Sequence, residues 1–332
     1  MRRLTSLLAA GMLTVGLLAG CGTNPSATPP DQTTSYTEPP LPANAELVTE
    51  TPAPTTTTNT PAVPQPECDD PTASLRPVAD PAQRVGPNID AIRARGRLIV
   101  GLDTGSNLFS FRDPRTGAVV GFDVDIAREI ARDLLGDPNL LEYRTLGSAE
   151  RERALQNNTV DIVTKTMTIT CARRQKVDFS TVYFLAHQRV LSTMDSSIES
   201  LDDLAGKRVC VVDGTTSKDN ILAYQPQAQL LTVSSWADCL VVLQQRQVDA
   251  ISTDDSVLAG LAVQDPYLRV VGPNVSDEPY GVGIGKGKDD LTRSVNATLE
   301  RIRADGTWNA IYDRWLTVLG PSPGPPAPRY QD

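Results

Sequence analysis

"RLIVGLDTGSNLFSFRDPRTGAVVGFDVDIAREIARDLLG", residues 97–136, sets the fold class. Its first six residues, Arg97 followed by five apolar ones, are of strand length and end at a polar Asp-Thr-Gly. After a loop, Asp123 can cap a helix in which Ile126, Ile130 and Leu134 share one face until Gly136 stops the pattern. The same strand-then-helix grammar continues downstream. Strands are expected at 140–145, 161–164, 188–192, 208–212, 229–233, 248–252 and 282–284. Helices are expected at 149–157, 200–204, after Gly214, and at 236–245, 255–262, 288–304 and 307–316. Such alternation predicts an α/β fold with parallel sheets covered on both faces.

The flanks differ in composition. Arg2 and Arg3 followed by the apolar run Leu4 to Leu18 read as a secretory leader, too short to span a bilayer comfortably. It ends in Leu-Ala-Gly-Cys21, which resembles the lipobox of bacterial lipoproteins, in which the cysteine thiol carries the lipid. Residues 22–66 hold eleven prolines, twelve threonines and no lysine or arginine, a composition that cannot build a core. Read as a disordered tether, it reaches at most roughly 140 Å at about 3.1 Å per residue. A Pro-rich tail at 321–332 closes the chain.

A net charge of −9 argues against nucleic acid as a partner. One histidine, His187, argues against most metal sites and against His-based acid–base chemistry; neither metal nor cofactor is expected. Four cysteines besides Cys21 allow three pairings in an oxidising compartment.

Five blocks in order carry a family resemblance over residues 89–317: the stretch quoted above, "VDIVTKTMTITCARRQKVDFS", "LDDLAGKRVCVVDGTTS", "QVDAISTDD", and "YGVGI" with "RADGTWNAIYDRWL". Together they resemble the polar amino acid-binding proteins of ABC importers, extracellular solute-binding proteins of family 3, and among them the GlnH-type lipoproteins of actinobacteria. The resemblance implies a two-lobed, periplasmic-binding-protein-like Venus flytrap with two hinge crossings, near 184–191 and 279–284. Lobe 1 is then 88–185 plus 283–320, and lobe 2 is 189–280. Pairing Cys210 with Cys239 and Cys68 with Cys171 keeps each bridge within one lobe.

It also implies a site. Arg173 holds the α-carboxylate of a free amino acid, a task suited to a guanidinium fork. Asp254 pairs with the α-ammonium, with Asp255 as the helix cap. Thr166 and Thr168 face the cleft from one strand, while Thr215 and Thr216 open a helix whose first N–H groups attract an anion. Ser106 stands where many members stack an aromatic ring, and Asn107 and Arg112 are further polar candidates. Lys165, if it points inward, favours an acidic side chain, which places glutamate and aspartate ahead of glutamine and asparagine. The implied protein is a monomer anchored at the outer face of the cell membrane. It delivers its ligand to an ABC permease, or else presents its occupancy to a membrane receptor. Enzyme activity is not expected, because no catalytic constellation stands out.

Overall fold

The computed structural model describes residues 39–48 and 68–332; the leader, Cys21 and the rest of the Pro/Thr stretch lie outside them. A two-residue strand, β1 (Glu46–Leu47), comes first. Helix α1 (Pro87–Arg95) leads into β2 (Leu98–Leu102), then into a small antiparallel sheet of β3 (Gly105–Ser106), β4 (Ser110–Arg112) and β5 (Val119–Val120). Helix α2 (Phe122–Leu135), β6 (Leu141–Thr145), α3 (Arg151–Gln156), β7 (Ile162–Val163), the single turn α4 (Cys171–Arg174) and β8 (Val177–Phe179) complete the first pass through lobe 1.

A ten-residue strand, β9 (Phe184–Thr193), then carries the chain across. Lobe 2 alternates β10 (Arg208–Val212), α5 (Thr216–Tyr224), β11 (Gln229–Val233), α6 (Trp236–Gln244), β12 (Ala250–Asp254), α7 (Asp255–Ala262) and β13 (Leu268–Val271). The return crossing β14 (Asp277–Tyr280) lies antiparallel on β9, and β15 (Gly283–Gly285), α8 (Asp289–Ala304) and α9 (Thr307–Trp315) finish lobe 1.

Lobe 1 is a sheet of order β6-β2-β7-β15-β8, and lobe 2 a sheet of order β1-β11-β10-β12-β9-β13. The expectation of parallel sheets holds only for β2 with β6 and β7, and for β10 with β11 and β12. The strands that enter and leave the lobes run antiparallel, β9 beside β12 and β13, and β15 beside β7 and β8. Both sheets are therefore mixed. The crossing strands belong to the lobes as well as joining them, which ties hinge geometry to sheet geometry.

Apolar side chains pack on both faces of each sheet. Where the crossings meet lobe 1, Phe109, Phe122, Tyr183, Phe184, Tyr280 and Trp308 form one aromatic cluster. Gly121 explains how α2 begins there. A Cβ at this residue would sit 2.2 Å from the carbonyl oxygen of Phe109, and its φ is +135°. The helix thus starts from Gly121, and Asp123, expected as its cap, turns inward instead.

The flanking segments are partly docked. β1 pairs antiparallel with β11, and Val48 donates its N–H to Leu230, so part of the stretch expected as tether extends the edge of lobe 2. Cys68 is bridged to Cys171 and Cys210 to Cys239. The C-terminal tail lies along lobe 1, with a bridge from Tyr330 to Ser74 and an ion pair from Asp332 to Arg293 at 2.5 Å. Among the described residues no helix is long and apolar enough to cross a membrane.

Candidate functional site

Residues 166–170, "TMTIT" within the second block, run beside the return crossing. Thr168 bridges Tyr280, and the Ile169 N–H donates to Pro279 O. Thr170 caps α4 by accepting the Arg173 N–H at 3.1 Å. That one turn folds the Arg173 side chain back over the segment, so that Nη1 donates to Thr168 O at 2.7 Å and Nη2 to Gly214 O at 3.1 Å. Arg173 is 7% exposed.

A narrow, nearly closed cavity of about 10 Å³ lies between the lobes. Lobe 1 contributes Ser148, Arg151, Thr166, Thr168 and Arg173 to its wall. Lobe 2 contributes Thr215, Thr216, Ser217, Trp236, Thr253 and Asp254. Thr215 caps α5, accepting the Lys218 N–H and donating its own hydroxyl proton to Val212 O at 2.6 Å. Asp254, 5% exposed, ends β12 and receives the Tyr280 hydroxyl on Oδ2, while Oδ1 is buried with no partner. Asp255 accepts the N–H groups of Ser256 and of His187.

Arg151 is a wall residue that sequence reasoning missed. Its Nη1 donates to Lys165 O and Thr166 O, Nε to Ser148 O, and Nη2 crosses the cleft to Gly214 O at 3.1 Å. Two guanidinium groups therefore stand side by side in one buried wall. Burial, followed by repulsion from Arg173, pulls Arg151 down to about 9; burial also lowers Arg173, against the pull of Glu152 and Glu278. On the far wall, burial and then the neighbouring charge of Glu278 push Asp254 well above the usual carboxylate range. The cavity thus faces two buried arginines, of which Arg173 keeps Glu152 3.6 Å behind it, with an acidic group short of a cation.

The other expected residues take different places. Lys165 points inward at 2% exposure and donates to Asp103 Oδ2 at 3.0 Å and to Ser148 Oγ at 3.2 Å, one layer behind the wall. Burial alone would raise Asp103, but Lys165 and the Gly105 N–H outweigh it and hold the carboxyl low. Ser106 is buried and donates to the same Asp103, away from the cavity wall. Asn107 reaches over the cleft to Gly260 O at 3.0 Å, a contact between lobes. Arg112 is exposed and donates to Gly117 O in its own hairpin. None of Ser106, Asn107 and Arg112 lies in the wall of the cavity. Among the described residues, the one aromatic ring in the wall comes from Trp236, on the opposite lobe to Ser106. His187 lies 3.4 Å from Asp255 and 3.5 Å from Asp277.

The family model of bacterial extracellular solute-binding proteins, family 3, matches residues 98–318. The ABC transporter glutamine-binding protein GlnH of Bacillus subtilis is 37% identical over 227 residues, 68% of this chain and 83% of that protein. The glutamate-binding protein GluB of Corynebacterium glutamicum is 33% identical over 65% of this chain and 77% of its own length. Among solved structures, an ancestral arginine-binding protein bound to glutamine superposes with a TM-score of 0.63 at 35% identity, over 67% of this chain and 98% of that one.

Proposed function

This chain belongs to the bacterial extracellular solute-binding proteins of family 3, and on that premise we propose that it captures a polar L-amino acid between its lobes. The observation that carries the reading is the charge arrangement of the cavity. Arg151 and Arg173 share one wall, and Asp254 stands on the other with Oδ1 unpartnered. A zwitterion meets both walls at once, with its carboxylate at the arginines and its ammonium at Asp254. The second guanidinium favours an acidic side chain, so glutamate and aspartate are preferred over glutamine and asparagine.

Ligand favours the closed arrangement through contacts that exist only when both lobes are near it. In this reading the closed face is presented to an ABC permease, while lipid on Cys21 holds the protein at the membrane. A thermal-shift screen of the twenty amino acids tests the proposal. Polar amino acids should raise the melting temperature by mass action, the acidic ones most; no shift with any of them overturns it. Co-purification from membranes with a permease supports delivery, and recovery with a receptor alone points to sensing instead.

A further inference from the structure

Glu278 is a carboxyl beside the cavity that accepts four hydrogen bonds, and so far only its charge has entered the account. It sits on the return crossing β14 and is 1% exposed. Its Oε2 accepts the hydroxyl of Thr168 from lobe 1 and that of Thr216 from lobe 2, both at 2.7 Å. Its Oε1 accepts the Ser276 hydroxyl at 2.6 Å and the Asn220 amide at 3.2 Å. Four donors converging on two oxygens fit the acceptor-only carboxylate form. Short O–H···O contacts of this kind are charge-assisted and hold the hydroxyl protons firmly.

A threonine hydroxyl has one proton and two lone pairs. With the protons of Thr168 and Thr216 directed at Glu278, both hydroxyls offer only lone pairs to the cavity they line. They can accept from a cation there but cannot donate to an anion. We infer that Glu278 is a positioning residue that fixes these two hydroxyls, one from each lobe, as acceptors for the ligand's ammonium group. The carboxylate is thereby left to the arginines, and the site discriminates against molecules that carry a carboxylate but no amine. This rests on the reading of the cavity as an amino-acid site. It adds that the polarity of the two threonines is set from the hinge.

The test is displacement calorimetry with L-glutamate and with its desamino analogue glutarate. The proteins compared are the wild type, Glu278→Gln and Thr216→Val. In Glu278→Gln an amide group replaces one acceptor oxygen with a donor and releases a hydroxyl proton. Glutamate should then bind at least ten-fold more weakly, while glutarate changes by less than two-fold. Thr216→Val, which removes one acceptor and leaves Glu278 in place, should narrow the same preference and serves if Glu278→Gln does not fold. Equal losses for both ligands, or glutamate binding as tight as in the wild type, would overturn the role of Glu278. If the wild type binds no amino acid at all, the functional reading fails and this inference fails with it.

Discussion

Thr166 is a β-branched residue held at φ +39°, a conformation that costs such a side chain on the order of 1–3 kcal/mol. Asp123 provides the restraint: its Oδ2 accepts the Thr166 N–H at 3.0 Å, and its Oδ1 accepts the Tyr183 hydroxyl at 2.7 Å. This carboxyl is fully buried, and burial raises it to about 7, against the hydrogen bonds that favour the charged form. Between about 4 and about 7 the folded state therefore binds more protons at this site than the unfolded chain does. The contribution of Asp123 to stability falls as pH rises through that window, by up to about 4 kcal/mol. Asp123→Asn should flatten this slope in melts recorded from pH 4 to pH 8; a slope unchanged by the substitution would show that other groups carry it. Arg173 and Asp254, which both line the cavity, were legible in the sequence because a family pattern fixed their positions. Arg151, Asp103 and Glu278 were not, since in sequence a buried charge looks like any solvated one. Only the fold shows which carbonyls and hydroxyls surround it.

At the scale of elements, alternating strand and helix patterns marked most of the architecture, because apolar periodicity survives tertiary packing. The direction of the crossing strands did not show, since a strand reads the same whether its partner is parallel or antiparallel. Docking of β1 on β11 was equally hidden. Its two residues, Glu46 and Leu47, are exposed and lie in a stretch of tether composition, held by backbone hydrogen bonds that leave no mark in side-chain chemistry. Cys210 and Cys239 link β10 to α6 across a separation of 29 residues. Replacing both by serine should lower the unfolding free energy by about 3–4 kcal/mol on the chain-entropy model, read from urea midpoints. A loss below about 1 kcal/mol would mean that residual structure already restrains this loop in the unfolded chain.

For the whole molecule, the lobes meet at two backbone contacts where a side chain has no room. A Cβ on Gly214 would lie 2.5 Å from Ala149 Cα, and one on Gly260 would lie 2.5 Å from Asn107 O. Gly260 is the cleaner probe, because it sits within α7 with no positive φ, and alanine there is the better helix former by about 1 kcal/mol. Gly260→Ala should therefore keep lobe 2 stable yet hold the lobes apart, weakening amino-acid binding at least ten-fold with no fall in melting temperature. Unaltered affinity would argue that capture does not require this contact.

Titration calorimetry of the wild type beside Arg173→Ala and Asp254→Asn bears most directly on capture of a dipolar ligand by paired opposite charges. One molecule of glutamate or another polar amino acid should bind per chain, and each substitution should abolish the heat while leaving the protein folded. Binding that survives in both variants would contradict the clamp.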